Sequence, residues 1–330
     1  MSLPSSPLRW LLQTLSPAAG KARLSILIFH RVLPGPDPLF PGEVDAARFD
    51  AVCAWLRTWF NVLPLDEACR RLHQGTLPAR AAAITFDDGY ADHHDVALPI
   101  LRRHGLSASF FVATGFLDGG CMWNDTLIES VRRCRSSSLD LSRLGLDGLG
   151  VLPLETTDQR RAAIDTAIRA CRYLAPRERD AAVLAVSRIA AVEPPRDLMM
   201  TTGQVRSMHQ QGMLIGGHTV THPILARLPL ADARREMQVG KAQLEAITQA
   251  PVTLFAYPNG RPGEDFGAEH AVLAEELGFE AAVTTAWGVS NQRSPLHQLP
   301  RFTPWDRSRW AFGLRLARNV GVRPPAARFV

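Results

Sequence analysis

Along the chain, short apolar runs bounded by turn residues alternate with longer stretches in which apolar side chains recur every three or four positions, the pattern of repeated β-α units. The runs Leu24 to Phe29, Ala81 to Phe86, Ala108 to Thr114, Met213 to Gly216, Thr253 to Tyr257 and Glu280 to Thr284 predict strands. Helices are predicted over Ala46 to Trp59, Leu65 to His73, Val96 to His104, Ala231 to Thr248 and Glu269 to Leu277, with Gly105 and Gly278 standing where helices commonly stop. The order is α/β. Between the third and fourth strands the pattern breaks, and residues 118–200 are rich in Arg, Ser, Leu and Ala, with helical spacing from Arg160 to Leu174 and loop-like glycines at Gly145, Gly148 and Gly150. That segment reads as a helical insertion.

Composition narrows the class. With 330 residues, 46% hydrophobic and 21% charged, the chain can bury a large core, which excludes disordered, collagen-like and disulfide-scaffold classes. Its length suits two domains of about 150 residues or one α/β barrel carrying an insertion. The net charge of +5 comes almost wholly from arginine, since Lys21 and Lys241 are the only lysines. No basic run is interleaved with stacking aromatics, so nucleic acid is not an expected partner. Cys53, Cys69, Cys121, Cys134 and Cys171 are odd in number and form no CxxC pair, which argues against disulfides and a cysteine zinc site. No apolar run is long enough to span a membrane, and Met1 to Gly20 lacks the basic start and apolar stretch of a secretory signal; the expected location is the cytoplasm. Pro7 to Leu15 has amphipathic spacing. It reads first as a helix docked on the domain and second as one resting on a membrane surface through Trp10 and its leucines. Oligomeric state leaves no signature.

Two places carry chemistry. At Ala81 to Tyr90, a buried-type strand ends on adjacent carboxylates, Asp87 and Asp88, followed by Gly89, which permits a sharp turn. Adjacent side chains point in different directions, so one carboxylate can hold a metal while its neighbour works as a base. Alone, this tripeptide is more often a turn and cap. A second cluster, Gly216 to Pro223, also follows an apolar run and sets His218 and His222 four apart, a spacing that on a helical turn puts both imidazoles on one face. Together with Asp88 they make a two-histidine, one-carboxylate set with positions left open for water and substrate. Phosphate-loop and serine-hydrolase motifs are absent from the sequence.

These residues resemble the polysaccharide deacetylases of carbohydrate esterase family 4, the NodB-homology domain: Thr85 to Gly89 looks like its first motif, and His218 to His222 its second. The resemblance covers roughly Leu24 to Leu117 and Thr201 to Phe302. It implies a distorted (β/α) barrel over 24–117 and 201–305, with a helical extension at 1–23, the insertion at 118–200 and a tail at 306–330. It further implies that Asp88, His218 and His222 bind a divalent metal, with zinc expected first, that Asp87 is the general base, and that acetyl groups leave N-acetylated sugars. Where the family's third motif commonly reads Arg-Pro-Pro-Tyr-Gly, this chain has Phe255 to Gly260, so the arginine that steadies the base is missing there. Arg301, in a late strand, is the candidate replacement. The general acid is expected at His30, which ends the first strand as in permuted members of the family, with His297 as the other candidate. The backbone N–H of Tyr90 is the expected donor to the oxyanion. His93 and His94 are expected to be exposed on a helix, and Trp123, Asn124 and Asp125 are candidates for substrate contact. Expected partners are an N-acetylated glycan or a lipid-linked sugar. The competing readings are a deformylase or deacetylase of a lipid-linked sugar in envelope or exopolysaccharide synthesis, and an inactive carbohydrate-binding barrel.

Overall fold

β-branched, aromatic and small apolar residues fill the strand runs on both faces, which is what a parallel sheet covered by helices requires. A computed structural model describes residues 7–322 and divides the chain into two units, residues 1–35, 44–117 and 200–330 in one and residues 36–43 and 118–199 in the other.

In chain order the first unit begins with α1 (Pro7–Leu15), β1 (Leu24–Phe29), α2 (Ala46–Trp59), β2 (Asn61–Val62), α3 (Leu65–Gln74), β3 (Ala81–Phe86), α4 (Leu98–His104) and β4 (Ser109–Val112). The second unit holds α5 (Trp123–Arg133), β5 (Ser138–Asp140), β6 (Val151–Pro153), α6 (Thr157–Cys171) and α7 (Pro176–Ile189). The chain then returns to the first unit with α8 (Thr202–Gln210), β7 (Leu214–Gly217), α9 (Leu230–Thr248), β8 (Leu254–Ala256), α10 (Ala268–Glu276), β9 (Ala281–Trp287), β10 (Leu299–Arg301) and α11 (Arg309–Gly321). Residues 309–321, part of the expected tail, are therefore helical.

Strands β1, β3, β4, β7, β8, β9 and β10 pair in that order, all parallel, while β2 shares the foot of β3. Just after β10 the sheet returns to its start: Phe302 N–H donates to Ile26 O at 2.7 Å and Ile28 N–H to Phe302 O at 3.1 Å. The result is a nearly closed barrel of parallel strands surrounded by helices, as the α/β pattern predicts. Strand periodicity sorts its residues into two layers. Leu24, Ile26, Ala81, Ala83, Phe111, Leu254, Ala256, Ala281, Val283 and Leu299 form one apolar cluster with Leu65, Ala68, Cys69 and Leu72 of α3. Leu27, Phe29, Ile84, Phe86, Phe110 and Val112 belong to a second, packed with the outer helices. Helix ends follow their local sequence: Asp45 caps α2 by accepting from Arg48 N–H at 2.8 Å, and Gly105 closes α4 at φ +61°.

The second unit is built around its own apolar cluster, including Leu127, Val131, Leu139, Ile164, Ala167 and Val186. Besides the expected helices it contains an antiparallel pair, β5 with β6, and the glycines at 145–150 lie in its connection. Asp125 is buried, and the Arg179 guanidinium lies 5.0 Å over the Trp123 ring.

Candidate active site

The inward face of β3 sets the site. Continuing the period-two series Ala81, Ala83 gives Thr85 and then Asp87 at the carboxyl end of the strand, where barrel enzymes hold their chemistry. Leu299 and Arg301 stand in the same relation on β10, and the register between β9 and β10 shifts between them. Such an irregularity re-aims a side chain near an active site. Arg301 is fully buried and holds the Asp87 carboxylate with both arms, Nη1 to Oδ1 and Nη2 to Oδ2, each at 2.7 Å. The guanidinium is itself fixed by Nε donating to Thr284 O at 2.8 Å and by Nη1 to Thr85 Oγ1 at 3.2 Å. Burial works against the charged form of Asp87, but the Arg301 charge and hydrogen bonds outweigh it and hold the carboxyl below its ordinary value.

Asp88 turns the other way because it adopts φ +79°, and Gly89 follows at φ +93°. Its carboxylate meets the loop after β7. His218 and His222 lie not on a helical turn, as their spacing predicts, but on an irregular loop in which Thr219 has φ +67° and His222 φ +52°. A β-branched residue at positive φ is a strained conformation, and such strain clusters at functional sites. Four hydrogen bonds enforce it. Glu236 of α9 accepts from Val220 N–H at 2.9 Å and Thr221 N–H at 2.8 Å, Thr221 Oγ1 donates to the same carboxylate at 2.8 Å, and Gly115 N–H donates to Val220 O at 2.8 Å. At Gly240 the helix comes so close that an added Cβ would stand 2.9 Å from Thr219 O. Glu236 has no motif to mark it; only its place on α9 brings it under the loop.

The ligand atoms of Asp88, His218 and His222 all lie within 4.8 Å of one another. Both Nε2 atoms are 3.4 Å from Asp88 Oδ1. A tetrahedral ion with nitrogen and oxygen ligands at about 2.0–2.1 Å would separate them by roughly 3.3 Å, so the trio fits a divalent cation. The tautomer fits as well: His218 Nδ1–H donates to Ala256 O at 2.7 Å, which leaves Nε2 as the ligand atom. Without metal, burial disfavours protonation of His218, but Asp88 overrides it and raises its pKa; burial and the neighbouring His218 push His222 down to about 4.

His30 is exposed at the end of β1, near enough for its charge to act on Asp87, Asp88 and His222. His297 is turned elsewhere, its Nε2 bonded to Phe279 O at 2.8 Å. Tyr90 is buried with the Arg31 guanidinium 4.6 Å over its ring. His93 corrects an expectation. It is fully buried rather than exposed, because a π-helical turn over His93–Ala97 precedes α4 and tucks the ring between Phe86 and Phe110. From there Nε2–H donates to His30 O at 2.6 Å, so His93 fixes the backbone that carries His30. His94 is half-buried, its Nε2 3.2 Å from Ser207 Oγ.

A barrel that gathers a buried carboxylate–arginine pair beside two histidines and a second carboxylate is equipped for hydrolysis. The sequence profile of the polysaccharide deacetylase family matches residues 74–141 and 167–282, more than half of the chain, and the match runs past Leu117 into the segment read as an insertion. The chain belongs to the polysaccharide deacetylase family and is a hydrolase of that class. YxkH of Bacillus subtilis (strain 168) is 23% identical over 282 residues, which cover 85% of this chain and 71% of that protein. Among solved structures, the Streptococcus pyogenes deacetylase PplD in complex with acetate is 20% identical, with a TM-score of 0.59 over 91% of this chain and 98% of that one. The BpsB deacetylase domain from Bordetella bronchiseptica is 19% identical, with a TM-score of 0.55 over 87% and 97%. These likenesses carry the barrel fold.

Proposed function

We propose that this deacetylase is metal-dependent and removes acetyl groups from N-acetylated sugars of a polysaccharide or glycan precursor. The observation that carries the reading is the side-by-side arrangement of the Asp88, His218 and His222 trio and the Asp87–Arg301 pair. A divalent cation held by the trio, with zinc the first candidate, supplies Lewis acidity toward an acyl oxygen. Asp87 accepts a proton from the attacking water as its oxygen bonds to the acyl carbon. Arg301 keeps that carboxylate ionised and oriented. The backbone N–H of Tyr90 donates to the oxyanion of the tetrahedral intermediate, and His30 protonates the sugar nitrogen as the C–N bond breaks. Acetate and a free amino sugar result. The intact Asp87–Arg301 pair argues against the inactive carbohydrate-binding alternative.

The test is acetate release from N-acetylglucosamine oligomers and from lipid-linked N-acetyl sugars, with chelated enzyme and with metal restored. Release that chelation abolishes and metal restores is expected; release that survives complete chelation sinks the metal-dependent mechanism. Release from the lipid-linked members alone would select a lipid-linked sugar in envelope or exopolysaccharide synthesis as the substrate.

A further inference from the structure

Beside the barrel, α1 and α11 run side by side in the same direction, with Leu8 packed where a Cβ on Gly313 would stand and Leu15 facing Gly321. Their inner faces are spent on the core: Leu8, Leu12, Phe312, Leu316 and Val320 are buried. Their outer faces are apolar too. Trp10 and Trp310 on these faces are 68 and 66% exposed, Leu11 and Leu314 are also exposed, and Trp305, in the loop just before α11, is 72% exposed. Trp310, Leu314 and the exposed Arg318 lie four apart and form one stripe along α11.

The charge on the two helices has one sign. Neither helix contains an acidic residue, whereas they carry Arg9, Arg309, Arg315 and Arg318. Asp306, just before α11, is neutralised by Arg315 at 2.5 Å. Where α1 ends, a cavity of about 510 Å³ is lined by Lys21, Arg23 and Arg293 together with Thr14 and Leu15. Exposed tryptophan and leucine flanked by cations, with no acid on either helix, is the chemistry of a surface that lies in the headgroup region of an anionic bilayer.

We infer that the paired outer faces of α1 and α11 dock this protein on an anionic phospholipid surface, with Trp10, Trp305 and Trp310 entering the interface and Lys21 and Arg293 meeting lipid phosphates. No membrane-spanning element is involved; among the described residues no helix is long and apolar enough to cross a bilayer. The consequence for catalysis is positional. Because β10 ends on Arg301 and α11 starts at Arg309, the start of the docking face lies at the catalytic end of the barrel. The inference goes beyond the proposed function and does not rest on it.

Flotation of the full chain with vesicles tests it, using phosphatidylcholine alone and phosphatidylcholine mixed with phosphatidylglycerol. Binding to the mixed vesicles only, weakened by salt and accompanied by a blue shift of tryptophan fluorescence, is expected. Trp10→Ser/Trp310→Ser should lower the affinity on the order of tenfold through lost apolar burial. Lys21→Gln/Arg293→Gln should lower it about fivefold per cation. All four side chains lie at the surface, so each variant should keep the wild-type melting temperature. A folded wild type that fails to float with anionic vesicles overturns the proposal, as does undiminished binding by the tryptophan variant. A dimer in light scattering that the tryptophan variant dissolves, without vesicle binding, assigns the face to a second copy of the chain instead.

Discussion

At the feet of β3 and β10 the inward positions are Ala81, Ala83 and Leu299; further along the same faces they are Thr85, Asp87 and Arg301. The foot is held by packing of small and aliphatic side chains sealed by α3. The tip is held by ion pairs and hydrogen bonds and carries backbone in unfavourable conformations at Asp88, Thr219 and His222. Each such residue costs on the order of 1–3 kcal/mol. The barrel tolerates a strained, charged tip because its foot is rigid and apolar, which divides stability from chemistry along single strands.

Losing a proposed metal ligand should break the tip most severely. Asp88→Ala or His222→Ala should lower acetate release by more than the roughly 100-fold typical of removing a group that only orients a ligand, with metal content falling well below one per chain. Full metal content in either variant would remove that residue from the ligand set. Glu236→Ala, which frees the loop between the two histidines, should weaken metal affinity about 10–100-fold as read by competition with a chelator, while the native circular dichroism is kept.

The next pair contrasts the two ends directly. Arg301→Met leaves the buried Asp87 carboxylate without its cation and should cost about 3–5 kcal/mol in urea unfolding. Leu299→Ala, two residues earlier on the same face, should cost about 2–5 kcal/mol by leaving a cavity. Only the first should also lower kcat; an equal loss of kcat in both would erase the division between foot and tip.

The smallest effect is on pH. Arg301 holds Asp87 below its ordinary value, so the proposed base stays ionised through the usual carboxylate range, and the acid limb of kcat due to Asp87 lies beneath that range. With Arg301 replaced by Met, burial is opposed only by the weaker effects of His218 and His30, so the carboxyl rises and the acid limb moves to higher pH. A limb that stays in place would assign it to another group.

Much of this is legible in the sequence because it is periodic or local. The runs Leu24–Phe29, Ala81–Phe86 and Ala46–Trp59 form the predicted elements with the predicted bounds. The neighbours Asp87 and Asp88 share one strand end, and a barrel brings the late Arg301 to them. What hides from the sequence depends on tertiary contact or backbone hand. His218 and His222 reach one point through residues of positive φ, not a helical turn, and the carboxylate that enforces this, Glu236, is distant in sequence. His93 is buried because a π-helical turn shifts its direction, which a regular 3.6-residue reading cannot foresee. Helix α11 follows a loop, and its outward Trp310 and Leu314 mask its amphipathic pattern.

The most direct test of the division of labour at the tip is one preparation of Asp87→Asn assayed for metal and for acetate release together. One metal ion per chain is expected, because the proposed ligands Asp88, His218 and His222 are untouched, with a loss of turnover on the order of 10²–10⁴ because the proposed base is gone. Acetate release at the wild-type rate from the metal-loaded variant would contradict it.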